Sequence, residues 1–269
     1  MSITIIPQAI NFRTWKTNAL LFYPSAKTPI SPAVAVFTHG YTSHKGSLLS
    51  WASRLVENGV PTAIFDLPGH FLGSINHVKN FKEFTLHAHE LFFEVYNSLQ
   101  NNFLLEKRKS FQNIPNVVLG GHSLGALLAL KALGSEHFSK FENIRAITVG
   151  LGLSILGDKH LFDMPLYKSV MDIRKQLISK ELAPENMFPW IDYEKRNLKL
   201  KNKNIHMITG IDDLVVKKQG TELLKDILEE NGNQVSLDIP KSLPHHLPEN
   251  AASYIKSYLK KNDLLSASF

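Results

Sequence analysis

The run Asn116 to Gly120 (NVVLG) passes straight into Gly121-His122-Ser123-Leu124-Gly125, and a stretch of small apolar residues, Leu124 to Leu133, follows at once. A buried strand that feeds a helix with no loop between them must reverse sharply. A Cβ two residues to either side of the serine would collide with neighbouring backbone, so the reversal demands glycine at both places. The serine at the apex takes up backbone strain. In exchange its hydroxyl is held clear of the sheet, at a helix N-terminus whose dipole favours developing negative charge. The pentapeptide alone is a weak signal, since a glycine-rich turn can carry an incidental serine. The strand before it and the helix after it make it specific.

The rest of the chain repeats the same strand-then-helix grammar, which predicts an α/β fold with a mainly parallel central sheet and helices on both faces. Two strands, Ser2 to Ile10 and Asn18 to Tyr23, are close enough in sequence to pair antiparallel before the crossovers begin. Strands are then predicted at Ala33–Thr38 (AVAVFT), Pro61–Phe65, Asn116–Gly120, Ile144–Val149, Ile205–Thr209 and Gln234–Ile239. Near-continuous apolar runs of this kind belong to strands covered on both faces. Helices are predicted at Leu48–Asn58, at Phe81 to about Phe103 with Leu86, Leu91, Phe92, Val95 and Leu99 on one face, at Lys217–Glu230 and at Asn250–Lys261. Between Leu153 and Asn204 the alternation stops. That stretch is helical in composition, rich in methionine and interrupted by Pro165, Pro184 and Pro189. It reads as an insertion of residues 153–203 into a core made of residues 1–152 and 204–269.

Length and composition agree with one soluble domain: 269 residues, 43% hydrophobic and 20% charged. The net charge of +6 is spread along the chain apart from Lys199, Lys201 and Lys203 and Lys256, Lys260 and Lys261. No nucleic-acid recognition motif accompanies either cluster, so a solvated surface is the expectation and no nucleic-acid partner is implied. With no cysteine, there are no disulfides, thiolate nucleophiles or cysteine zinc sites. No apolar stretch is long enough to span a bilayer, and Met1 to Ile10 lacks a basic leader region, so a cytoplasmic protein without membrane insertion is expected. His87 and His89 lie two apart on a predicted helix, hence on different faces, and no phosphate loop or dinucleotide fingerprint occurs, so neither metal nor cofactor is implied.

A nucleophilic serine makes two further demands. An oxyanion hole needs a backbone N–H beside that of Leu124, and His39-Gly40-Tyr41 at the end of AVAVFT supplies a turn where the Tyr41 amide can serve. His39 is expected to hold that loop by bonding backbone. An acid and a histidine must also follow at strand ends, where open α/β sheets build their sites. Gly210-Ile-Asp212-Asp213 follows one predicted strand and Pro244-His245-His246-Leu247-Pro248 the next. Adjacent residues of an extended exit point in different directions, so only one of Asp212 and Asp213, and one of His245 and His246, can complete the set.

From the His39-Gly40 turn to the C-terminal helix the chain resembles the α/β-hydrolase superfamily, and most of all its serine esterase and lysophospholipase-like branch with a helical cap after the sixth strand. The resemblance selects Asp213, three residues beyond the glycine that ends a strand, and His245, in the context His245-His246-Leu247-Pro248-Glu249. It also identifies Asp66-Leu67-Pro68-Gly69-His70 as a structural turn. The implied activity is that of a carboxylesterase on small to medium acyl esters, through an acyl-enzyme formed by Ser123, Asp213 and His245. A thioesterase, lysophospholipase or amidase would use the same residues, and an acyltransferase or a non-catalytic ligand receptor would keep the fold. In the insertion, Met164, Tyr167, Phe188 and Trp190 are candidates for an acyl pocket, and they serve equally to fasten a helical flap to the sheet.

Overall fold

The computed structural model describes residues 3–105, 114–155 and 165–266, without the side chains of 103–105 and 165–168. Among these, eight strands form one sheet: β1 (Thr4–Phe12), β2 (Trp15–Tyr23), β3 (Ala33–Thr38), β4 (Thr62–Phe65), β5 (Asn116–His122), β6 (Asn143–Val149), β7 (Asn204–Ile208) and β8 (Gln234–Asp238). Their order is β1-β2-β4-β3-β5-β6-β7-β8. The β1–β2 and β2–β4 pairs are antiparallel and all others parallel. The helices are α1 (Leu49–Glu57), α2 (Phe81–His87), α3 (Leu91–Leu105), α4 (Leu124–Leu133), α5 (Pro165–Lys175), α6 (Pro184–Arg196), α7 (Lys218–Glu230) and α8 (Ala252–Lys261).

Successive strand side chains point to opposite faces, so a run apolar at every position needs cover on both. On β3, Val34 and Val36 join one apolar cluster, and Ala33, Ala35 and Phe37 join the other. Helices α1 and α8 cover the second face with Trp51, Leu55, Ile255 and Leu259. Helices α3, α4 and α7 cover the first with Phe92, Leu99, Leu127, Leu224 and Leu228. Each such side chain contributes about 1.5–3 kcal/mol by leaving water. Helix α4 is apolar on nearly every side because it is buried on nearly every side; only Lys131 escapes.

Four expectations are corrected by the structure. The N-terminal hairpin is longer than its apolar runs, since β1 continues to Phe12 and β2 begins at Trp15. An edge hairpin buries only one face, so its polar residues, Asn11 and Lys16 among them, are strand residues that read as loop. The helix predicted over Phe81–Phe103 is broken by a 3-10 turn at Ala88–Glu90. The tighter winding of that turn re-phases the chain, so Leu91, Phe92, Val95 and Leu99 are buried while Leu86 is 51% exposed and off the core face. The helix predicted from Asn250 starts as a 3-10 turn, Pro248–Ala251, ahead of α8. Finally, the prolines of the insertion do not break helices: Pro165 and Pro184 each open one, where no N–H is needed, and Pro189 sits inside α6.

Candidate active site

The turn from β5 to α4 has the geometry its glycines announce. Ser123 adopts φ 51° and ψ −111°, and its N–H bonds Val149 O at 2.8 Å, tying it to the end of β6. A residue with a Cβ held there costs about 1–3 kcal/mol, which the surrounding packing must sustain. A Cβ on Gly121 would stand 2.5 Å from Thr38 O, and one on Gly125 would stand 2.3 Å from the same oxygen. Helix α4 therefore begins in direct contact with the end of β3.

The loop after β3 comes equally close. A Cβ on Gly40 would lie 3.3 Å from Ser123 Cβ and 2.7 Å from His122 Nδ1, so only glycine lets this backbone reach the serine. Tyr41 is the next residue. Among the described residues neither its N–H nor that of Leu124 donates a hydrogen bond, and Leu124 opens α4, where the first-turn amides have no intrahelical acceptor. His39 fixes the loop from beneath: Nδ1–H donates to Gly40 O at 2.8 Å and Nε2 accepts Leu67 N–H at 2.9 Å. Burial pushes its pKa down to about 3, so this tautomer is held neutral. Asp66 is fully buried and accepts both the Lys45 N–H at 2.7 Å and the Lys45 ammonium.

On the other side of the serine, Asp213 and His245 are brought together. Asp213 is 4% exposed; Oδ2 accepts His245 Nδ1–H at 2.8 Å, and Oδ1 accepts Val215 N–H and Val216 N–H at 2.9 and 2.8 Å. Asp212 faces elsewhere and accepts Leu243 N–H at 2.8 Å, while His246 is exposed. The loop carrying His245 is pinned to α1, where Trp51 Nε1–H donates to Pro248 O at 2.8 Å and Ser50 Oγ–H to Glu249 O at 3.0 Å. Gly150, at φ 63°, leaves room for the imidazole, since a Cβ there would be 3.0 Å from His245 Cε1.

Ser123 and His245 share no hydrogen bond in this structure. The His245 ring lies instead against that of His122, with centroids 4.5 Å apart. His122 is a site neighbour that the motif left as a variable position. It is buried, neither ring nitrogen has a hydrogen-bond partner, and burial, then the neighbouring His245, holds its pKa well below the usual 6.5.

The four residues proposed for an acyl pocket divide. Phe188 meets the Tyr41 ring edge-on at 5.5 Å, beside the loop after β3. Trp190 turns to α2, with Phe81 and Phe84 at 6.5 and 6.4 Å, and its Nε1–H donates to Glu194 at 3.0 Å. Met164 and the Tyr167 side chain lie outside the described residues. Among the described residues no group of three or more His, Asp or Glu is placed to hold a metal ion, and no helix is long and apolar enough to cross a membrane.

A strand-turn-helix serine with an Asp–His pair at later strand ends, on a sheet of this order, defines the class. The sequence matches the alpha/beta hydrolase family over residues 35–198, well over half of the chain, and the protein belongs to that family. No curated protein sequence matches it. Solved structures share the fold at low identity. An esterase of Pyrococcus furiosus is 18% identical over 96% of this chain and 90% of its own, with a TM-score of 0.59. A serine hydrolase without a lid from Xanthomonas campestris is 13% identical over 98% and 97%, with a TM-score of 0.56. A cold-adapted esterase from an Arctic intertidal metagenomic library is 16% identical over 99% and 96%, with a TM-score of 0.55.

Proposed function

We propose that this α/β hydrolase is a serine carboxylesterase that cleaves small to medium acyl esters through an acyl-enzyme. The observation that carries the reading is the pairing of a strained Ser123 at a helix N-terminus with a buried Asp213 bonded to His245 at 2.8 Å. His245 Nε2 takes the Ser123 proton as Oγ adds to the ester carbonyl, and the resulting oxyanion is met by the Tyr41 and Leu124 N–H groups. The imidazolium then protonates the departing alkoxide, leaving an acyl-serine. Water, losing its proton to His245, releases the acid and restores the hydroxyl. Asp213 holds Nδ1 protonated throughout, which leaves Nε2 free to accept.

The insertion, residues 153–203, is read as a cap of the kind found in the lysophospholipase-like branch, with Phe188 facing the acyl chain from beside Tyr41. A thioesterase or lysophospholipase would share every step, differing only in the leaving group.

The test is labelling with a fluorophosphonate probe, with the adduct mapped by mass spectrometry. Labelling is expected on Ser123 and lost in Ser123→Ala, with hydrolysis of p-nitrophenyl butyrate falling by about a million-fold. A wild-type protein that takes no label overturns the reading.

A further inference from the structure

We infer that the turn Ser179–Leu182 of the insertion is a built-in brace for the oxyanion hole, acting through the phenol of Tyr41. This rests on the hydrolase reading and assigns Tyr41 a second role, as a positioning residue. Its hydroxyl donates to Leu182 O at 2.7 Å, across 141 positions of chain. The ring is wedged between His70, edge-on at 5.9 Å, and Phe188 at 5.5 Å. The residue to which the proposed function gives an oxyanion-donating amide is thus fastened by its side chain to a different part of the molecule.

That part is itself anchored. Ser179 N–H donates to Gly69 O and Ser179 Oγ accepts Val78 N–H, both at 2.8 Å. Phe71 N–H donates to Leu177 O at 2.8 Å, and Leu182 N–H donates to Ser179 O at 2.8 Å. Gly69, at φ 74°, sits so close that a Cβ would meet Ser179 Oγ and Leu182 Cδ1 at 2.8 Å. Asp66 closes the ring by holding Lys45 N–H, four residues from Tyr41. Tyr41, Leu182, Ser179, Gly69, Asp66 and Lys45 make a closed circuit that returns to the loop where it began. Leu182 and Ser179 are buried and Tyr41 is half-buried, so water has little access to these bonds. Burial also pushes the Tyr41 phenol pKa up, which keeps it a donor.

An oxyanion donor stabilises the transition state only if it is already aimed where charge develops, because reorganising it during reaction costs the energy it would return. A brace of this kind makes the insertion part of the catalytic frame rather than a free flap. Its loss should appear in kcat and in affinity for tetrahedral adducts, and leave ground-state binding alone.

The experiment compares wild type with Tyr41→Phe, which removes one oxygen and keeps the ring. The readouts are kcat and KM on p-nitrophenyl butyrate, and Ki for an alkyl trifluoromethyl ketone, whose carbonyl accepts Ser123 Oγ to form a bound oxyanion. The expectation is a roughly tenfold fall in kcat, a roughly tenfold rise in Ki, and KM within about twofold. Ser179→Ala, which takes the acceptor from Val78 without touching Tyr41, should move kcat and Ki the same way by about threefold. Unchanged kcat and Ki in a labelled, folded Tyr41→Phe overturn the brace and leave the hydrolase reading intact. A rise in KM alone also overturns it, since the phenol would then be touching substrate. If Tyr41→Phe does not fold, unchanged values in Ser179→Ala overturn the brace instead. A wild type that fails to label overturns the hydrolase reading and the brace with it.

Discussion

Replacing Asp213 by asparagine tests the site at the point where its geometry is most constrained. Oδ1 accepts two main-chain N–H groups, from Val215 and Val216, and Oδ2 accepts the His245 Nδ1–H. An asparagine must turn its carbonyl oxygen toward the two amides, because turning its NH2 there would leave two buried donors facing a third. The NH2 then faces His245 and forces the tautomer with Nδ1 unprotonated and Nε2 carrying the hydrogen. That imidazole cannot take the serine proton. The cost is the loss of general-base catalysis with the fold preserved: about ten-thousand-fold in kcat, or about 5.5 kcal/mol of transition-state stabilisation. Two of the three hydrogen bonds survive, so stability should move by no more than about 1 kcal/mol. The adjacent Asp212→Asn keeps a carbonyl for Leu243 N–H and should change kcat by less than about threefold. The assay is p-nitrophenyl ester hydrolysis alongside thermal unfolding. If Asp213→Asn retained activity within tenfold while Asp212→Asn lost it, the assignment of the acid would be wrong.

Acid should destabilise the fold well before carboxylates titrate. His39 and His70 are fully buried with pKa values lowered by burial to about 3, against 6.5 in the unfolded chain. Below pH 6.5 the unfolded state therefore binds protons that the folded state refuses, and the stability present above pH 6.5 is lost on acidification. At pH 5 each histidine removes about 2 kcal/mol, so a Tm that is flat between pH 7 and 5 would contradict their burial as neutral groups. Gly125→Ala places a Cβ 2.3 Å from Thr38 O, and should cost at least about 1–3 kcal/mol and abolish fluorophosphonate labelling; a labelled, stable variant would mean that α4 does not press on β3 as described. Phe188→Ala should lower kcat/KM for hexanoate relative to acetate esters by about tenfold, whereas Trp190→Ala should leave that ratio alone and lower stability by up to about 3 kcal/mol. The opposite pattern in p-nitrophenyl ester profiles and thermal melts would put the acyl chain over α2 instead.

Which features could be read from sequence follows from how far apart the interacting residues are. The turn at Ser123 is legible because its constraints are local: Gly121 and Gly125 are required by close approaches within a few residues of the apex and to the end of β3. The strands are legible because burial on both faces leaves an apolar residue at every position, as in Ala33–Thr38. The hairpin ends and the break at Ala88–Glu90 escaped, since one-faced burial and a re-phased helix both blur the period that reveals them. Between Asp212 and Asp213 the choice is made by partners that meet only in space. Leu243 N–H takes one carboxylate and His245 the other, and both lie about thirty residues further along. Nothing near Tyr41 in sequence points to Leu182, and nothing near His245 points to Trp51. Sequence alone thus determined the class of fold and the nucleophile candidate, whose causes are short-range. Tertiary structure decided which acid faces which histidine and what the Tyr41 hydroxyl bonds, because those bonds exist only once distant segments have been packed side by side.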